Sequence, residues 1–131
     1  MKRILVIDDE PQVREVLEEF LTFKGYDVIL APDGESGYER FLESMPDAAV
    51  VDVEMPVMNG LQFAGSVLRQ NIKFPIIIIT AFLEKYSQAD IIKLGVKEVL
   101  QKPLNLNDLY NRLQRVLSTL ACFIMSLYTY L

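Results

Sequence analysis

The chain has 131 residues, 51% of them apolar, enough to bury one core and too few for a second full domain. Its 18 acidic and 13 basic residues leave a net charge of -5, and no segment carries a Lys/Arg stripe, so direct nucleic-acid binding is not expected. One cysteine, Cys122, and no histidine exclude a disulfide framework, a Cys/His zinc site and a histidine-dependent triad.

Met1-Lys2-Arg3 is followed by only four apolar residues, too few for a signal-peptide core, which predicts a cytoplasmic protein. Those four, Ile4-Leu5-Val6-Ile7, predict a buried strand. Pro11 suits the first turn of a helix, and Val13, Val16, Leu17, Phe20 and Leu21 recur at helical spacing until Gly25, a left-handed stop. Val28-Ile29-Leu30-Ala31 predicts a second strand and Asp33 an N-cap. Tyr38, Phe41 and Leu42 form the expected buried face of a helix ending before Pro46. Ala48-Ala49-Val50-Val51 is the third strand and delivers Asp52; Gly60 precedes a helix with Leu61, Ala64, Val67 and Leu68 inward. Pro75 opens the fourth strand, Ile76-Ile77-Ile78-Ile79, which Thr80 closes. A fourth helix over 84–94 is stopped by Gly95, a fifth strand runs over 97–101, and a last helix starts near Asn105 or Asn107. Five βα units joined by short links predict a parallel sheet covered on both faces.

In such a sheet the residues just past the strand ends share one edge, where open α/β sheets place their sites. Asp8-Asp9 follow the first strand, Asp52 the third, Thr80 the fourth and Lys102-Pro103 the fifth. Singly, each has a structural explanation: acidic residues favour helix N-termini, threonine often ends a strand, and a lysine is usually solvated. Together they form a set suited to a divalent cation and a phosphoryl group. Packed carboxylates raise one another's pKa, so keeping them ionised at neutral pH calls for a cation. Mg2+ fits best, being a hard ion held by oxygen ligands and water.

Through Ile7-Asp8-Asp9-Glu10, the run Val51-Asp52-Val53-Glu54-Met55-Pro56-Val57-Met58-Asn59-Gly60, Ile79-Thr80-Ala81 and Gln101-Lys102-Pro103, the chain resembles the receiver domain of two-component response regulators, of the stand-alone chemotaxis type. The resemblance implies a doubly wound, flavodoxin-like (βα)5 fold with strand order 2-1-3-4-5. It implies that Asp52 accepts a phosphoryl group from a phosphohistidine while Thr80 and Lys102 take up charge on the phosphoryl oxygens. It further implies that Asp9, Asp52 and the Glu54 backbone carbonyl ligate Mg2+, that Asp8 acts largely through water, and that the Lys102-Pro103 bond is cis, aiming the ammonium inward. The Glu10 and Glu54 side chains are expected to tune the pocket rim rather than to ligate. With no histidine in the chain, the donor histidine belongs to a partner, a sensor histidine kinase or phosphotransfer protein, and the downstream effector is not identified. Such a domain is not an enzyme in its own right, although it assists its own phosphorylation and dephosphorylation.

In the family, the phosphorylated state is relayed by the Thr80-position hydroxyl and by an aromatic three residues before the lysine, towards the surface of helix four, strand five and helix five. Here that position is Val99, which cannot carry an aromatic rotation, so a modest population shift through Thr80, Phe82 and Pro103 is expected. Leu104 replaces the phenylalanine often found after the Lys-Pro pair, a packing change.

Residues 116–131 carry no charge, and Leu109, Leu113, Val116, Leu120, Phe123, Leu127 and Tyr130 follow a heptad seam. A receiver over residues 1–117 needs only the first part of it. The helical extension 118–131 is then expected to expose Leu120, Phe123, Ile124, Leu127 and Leu131 for a homodimer; a tail folded back on its own domain is the alternative. The stretch is too short to span a membrane, and Cys122 within it reads as a small hydrophobe. Two other function classes compete: a phosphorylation-independent interaction module, and a Mg2+-dependent aspartyl-phosphate hydrolase, against which no insertion long enough for a substrate cap is visible.

Overall fold

Alternating apolar runs and helical repeats produce, in a computed structural model, β1 (Arg3–Ile7), α1 (Pro11–Phe23), β2 (Asp27–Ala31), α2 (Gly34–Ser44), β3 (Ala48–Asp52), α3 (Gly60–Gln70), β4 (Ile76–Thr80), α4 (Gln88–Lys93), β5 (Glu98–Gln101) and α5 (Leu106–Tyr130). The structure describes the backbone of residues 1–130 and the side chains of residues 1–118. All strand pairs are parallel and the order is β2-β1-β3-β4-β5, as expected. The winding direction reverses between β1 and β3, which opens a crevice at the carboxyl ends of those strands.

Successive strand residues point to opposite faces, and this divides the core in two. Leu5, Ile7, Ala49, Val51, Ile76 and Ile78 pack against α3 and α4 through Phe63, Ala64, Val67 and Ile91, with Tyr38 and Phe41 of α2 alongside. Ile4, Val6, Ala48, Val50, Ile77 and Ile79 pack against α1 and α5 through Leu17, Leu21, Leu109 and Leu113. Covering both faces explains why the strands read as unbroken apolar runs, each buried side chain stabilising the fold by about 1.5–3 kcal/mol.

Local chemistry sets the helix ends. Asp33 accepts the Ser36 N–H at 2.8 Å, Asn59 and Gln62 form a reciprocal capping box at 2.9 Å, and Asn105 accepts the Asp108 N–H at 3.0 Å. Helix α1 stops before Gly25, whose φ of 97° an L side chain rarely adopts.

The expected helix over 84–94 is broken: a 3₁₀ turn, Leu83–Lys85, is followed by Ser87, whose hydroxyl accepts the Asp90 N–H at 3.3 Å and starts α4 afresh. Serine competes with helix continuation by bonding nearby backbone, and here the cap prevails. Val16 and Leu42, expected inside, are 50% and 53% exposed, while Phe63 is fully buried and Leu61 only half-buried. Helical periodicity locates the buried side of a helix but not the width of its stripe. On α5, Leu109, Leu113, Val116 and Leu117 are buried as expected. The rest of the expected seam, Leu120, Phe123, Leu127 and Tyr130, lies outside the described side chains, as do Cys122, Ile124 and Leu131 beside it. Among the described residues no helix is long and apolar enough to cross a membrane.

The return from β3 to α3 is tight. Gly60 N–H donates to Val53 O at 3.0 Å, and a Cβ on Gly60 would lie 2.2 Å from the Asp52 carbonyl oxygen, so glycine alone permits this approach. Between them, Met58 N–H reaches Pro56 O at 2.8 Å, closing a three-residue turn around Val57 at φ 68°. A β-branched side chain in this region costs about 1–2 kcal/mol, and Val57, 80% exposed, gains little packing in return. Val57→Gly is therefore predicted to stabilise the protein by about 0.5–1 kcal/mol, read as a rise of roughly 2–4 °C in thermal denaturation; an unchanged or lower midpoint would contradict the strain.

Candidate functional site

The crevice gathers the polar groups that the core leaves over. Among the described residues the buried polar side chains are Asp8, Asp52 and Thr80, at 0%, 3% and 0% exposure, all at one edge of the sheet. Register brings them there: Ile7 pairs with Val51, Asp52 with Ile79 and Thr80 with Gln101, so each strand ends where its neighbour does. From the end of β5, across a cis Lys102-Pro103 bond, the Lys102 ammonium enters the crevice. It lies 2.8 Å from Asp8 Oδ2, 3.1 Å from Glu10 Oε1 and 3.5 Å from Asp52 Oδ2. Arg14 of α1 donates to the Asp8 carbonyl at 2.6 Å, bracing the loop that carries the acidic pair.

Two carboxylates buried together strain the electrostatics. Burial first, then the Asp8 charge, push the Asp52 carboxyl up to about 7 against the pull of Lys102. Burial also raises Asp8, which Lys102 and the Glu10 N–H partly offset. Burial works against the Lys102 ammonium too, but Asp8, Glu10 and Asp52 around it outweigh that and raise its pKa. Asp52 Oδ1 is buried without a hydrogen-bond partner, and Asp8 Oδ2 meets the ammonium only as an ion pair, with no aligned donor.

These residues fit a divalent cation. Asp8, Asp9 and Glu10 offer carboxylate oxygens within 4.8 Å of one another, and the orphaned Asp52 oxygen lacks a positive partner. An all-oxygen, acidic donor set with two desolvated carboxylates suits a hard ion such as Mg2+.

Of the residues singled out from sequence, Asp8, Asp9, Asp52, Thr80 and Lys102 are brought together at this edge. Phe82 is 42% exposed, its N–H donating to Thr80 Oγ1 at 3.0 Å. Val99 is half-buried against the α3–α4 core, and Pro103 is exposed beside Lys102. Leu104 packs against the core beneath α1 and α5. Two contacts escaped the sequence: Glu10 closing on Lys102, and the Glu54 carboxylate accepting from Thr80 Oγ1 at 2.8 and 2.9 Å. Only the neighbouring motif residues hinted at either.

A model of the response regulator receiver domain matches residues 4–114. The chain belongs to this family. Relatives of this receiver include the transcriptional regulatory protein RprY of Bacteroides fragilis, 36% identical over 115 residues, which are 88% of this chain and 49% of that protein. The alkaline phosphatase synthesis transcriptional regulatory protein PhoP of Bacillus subtilis is 33% identical over 116 residues, 88% of this chain and 48% of that protein. The receiver thus spans about half the length of the curated relatives it matches. Among solved structures, the response regulator TrrA of Thermotoga maritima is 34% identical, covers 88% of this chain and 99% of its own, and superposes with a TM-score of 0.81. That protein was solved in complex with Mg2+ and BeF.

The raised Asp52 pKa makes a stability prediction for the metal-free receiver. Asp52 is held at about 7 in the folded chain against an ordinary 3.8, so the folded state binds the extra proton between these values and stability falls as pH rises through them. Asp52→Asn is expected to be the more stable protein at pH 8 in EDTA, by on the order of 2–4 kcal/mol, with a smaller advantage at pH 5. Thermal melts at the two pH values check this, and a constant difference between the two proteins would refute it.

Proposed function

We propose that this receiver works in phosphorelay signalling, with Asp52 accepting a phosphoryl group from a phosphohistidine on a sensor histidine kinase or phosphotransfer protein. The observation that carries this is the burial of Asp8, Asp52 and Thr80 at one sheet edge, within reach of the Lys102 ammonium. An Asp52 carboxylate oxygen attacks phosphorus, a P–O bond forms, the P–N bond breaks, and the imidazole leaves with the electron pair. Lys102, 3.5 Å from Asp52 Oδ2, lies where it can donate to the incoming phosphoryl oxygens. The Thr80 hydroxyl, which donates to Glu54 in this structure, is the second donor once it turns to the phosphoryl group. Asp9, Asp52 and the Glu54 backbone carbonyl would hold Mg2+, with Asp8 acting through water. When bound, the ion neutralises charge between the carboxylates and the phosphoryl oxygens.

The donor's imidazole must approach between α1 and the segment after β5. An apolar groove of about 550 Å³ lies there, lined by Val13, Val16, Leu17, Pro103, Leu104 and Leu106, with Glu10 and Lys102 at its edge. Such a surface favours a protein donor over a small phosphate ester. We place the receiver's end near Leu117, the last buried side chain described, and its setting in the cytoplasm. The response to phosphorylation is assigned to the α4–β5–α5 surface.

Incubation with acetyl phosphate or phosphoramidate tests the assignment. Intact-protein mass is expected to show one phosphoryl adduct that needs Mg2+ and is lost in Asp52→Asn. An adduct that survives that substitution, or forms equally in EDTA, would overturn it.

A further inference from the structure

Glu10 holds the ammonium that the phosphoryl group needs. Lys102 Nζ carries three protons and faces three carboxylates, Asp8 Oδ2 at 2.8 Å, Glu10 Oε1 at 3.1 Å and Asp52 Oδ2 at 3.5 Å. Its aligned hydrogen bond goes to Glu10, whereas Asp8 and Asp52 meet it only as ion pairs. Asp8 is fully buried, but the Glu10 side chain is 60% exposed and is the partner with room to leave. Glu10 precedes Pro11 at the start of α1 and makes no capping bond with its side chain, so the helix does not depend on that carboxylate. Apart from Glu10 and Lys102, the adjoining groove is lined by uncharged residues, and Arg14 is turned to the Asp8 carbonyl.

We propose that Glu10 parks the Lys102 ammonium away from the phosphoryl site, and that a protein phosphodonor frees it by placing a lysine or arginine opposite Glu10. The proposal rests on Asp52 being the phosphoacceptor. No covalent step is added: the P–O bond to Asp52 forms as the donor's bond to phosphorus breaks, the electron pair leaves with the donor, and only the partners of the ammonium change. Two effects favour the exchange. An ion pair with an exposed carboxylate is weak, so Glu10 yields the lysine before buried Asp8 does. A donor seated on the groove also strips water from Glu10 just as Lys102 turns to the phosphoryl oxygens, and an unpaired, desolvated carboxylate opposes docking. A basic side chain on the donor cancels that penalty and a neutral one does not, which makes Glu10 a positioning residue that selects among donors. Acetyl phosphate brings no cation and must displace Glu10 unaided.

The state of the ammonium and the rate of transfer are read separately. Nitrogen NMR of the lysine ammonium groups in the metal-free protein, with Lys102 assigned by its loss in Lys102→Arg, is expected to show that signal shifted or broadened in Glu10→Ala. The same is expected in Glu10→Asp, which keeps the charge but falls one methylene short of Nζ. At saturating Mg2+, which keeps changes in metal affinity out of the comparison, intact mass is expected to show both variants taking the phosphoryl group from acetyl phosphate about fivefold faster than the wild type, the equivalent of one net hydrogen bond. Two phosphohistidine peptides that differ only in a lysine or a glutamine beside the phosphohistidine test selection. The wild type is expected to use the lysine peptide about fivefold faster, and Glu10→Ala to use both alike. An unmoved Lys102 signal in Glu10→Ala would overturn the parking. So would a Glu10→Asp rate equal to the wild type beside a fast Glu10→Ala, since charge at the rim would then be the whole effect. Equal use of the two peptides by the wild type would overturn the selection of a basic donor. Adducts formed at one rate by all three proteins would sink the proposal and leave the phosphoacceptor assignment intact, whereas absence of any adduct would remove that assignment and the proposal with it.

Discussion

One ammonium among buried carboxylates sets the terms for the carboxyl edge of the sheet. Lys102 lies within 3.5 Å of both Asp8 and Asp52, and among the described residues neither carboxylate has a second ion-pair partner. Without the lysine, two desolvated negative charges would face each other across the crevice, and removing one member of such a buried set typically costs about 3–5 kcal/mol. The lysine does not complete the balance, since Asp52 stays raised and one of its oxygens stays orphaned. The edge is thus built short of positive charge. Cation binding and phosphoryl chemistry both draw on that shortfall, because each brings electropositive centres to oxygens already stripped of water.

Such a shortfall persists only where the surroundings are rigid and dry. The two core layers supply this for β1, β3 and β4, whose central residues are fully buried. Packing is thinner towards the far side: α4 spans six residues and buries only Ile91, while Phe82, Ile92 and Leu94 are substantially exposed. Elements with few buried contacts open at lower free energy than the core. The fold therefore separates a fixed part, which holds the buried polar groups, from a loosely packed part, which has freedom to respond. Glu54, accepting from Thr80 at the end of β4, lies on the boundary between them.

What the residues revealed in advance follows the same division. Strands buried on both faces appear as unbroken apolar runs, and a charged or hydroxyl residue at the end of each run marks the edge without reference to helix packing. Asp8, Asp52, Thr80 and Lys102 were legible for that reason. Contacts that depend on how far a side chain reaches were not: Glu10 to Lys102 and Glu54 to Thr80 cross between strands, and nothing in linear spacing specifies them. The helix expected over 84–94 failed through a competition between Ser87 as a cap and continued helix, which only the tertiary setting decides. Val16 and Leu42 followed the helical period yet lie at the margin of the buried stripe, where periodicity loses its meaning.

The tight return after β3 bears on how this chain can diverge. Val53 is anchored to Ile79 through its N–H and to Gly60 through its carbonyl, and Gly60 rests on the Asp52 carbonyl with no space for a methyl group. The stretch between Val53 and Gly60 is thus a closed ring whose circumference is dictated by the backbone of Asp52 and Val53. Its exposed members can change identity, Val57 most favourably to a residue that tolerates a left-handed backbone, but adding or deleting a residue would lever Asp52 out of register with Thr80 and Lys102. Among descendants of this sequence, drift at the mouth of the crevice is confined to substitution, while changes of length fall elsewhere on the surface.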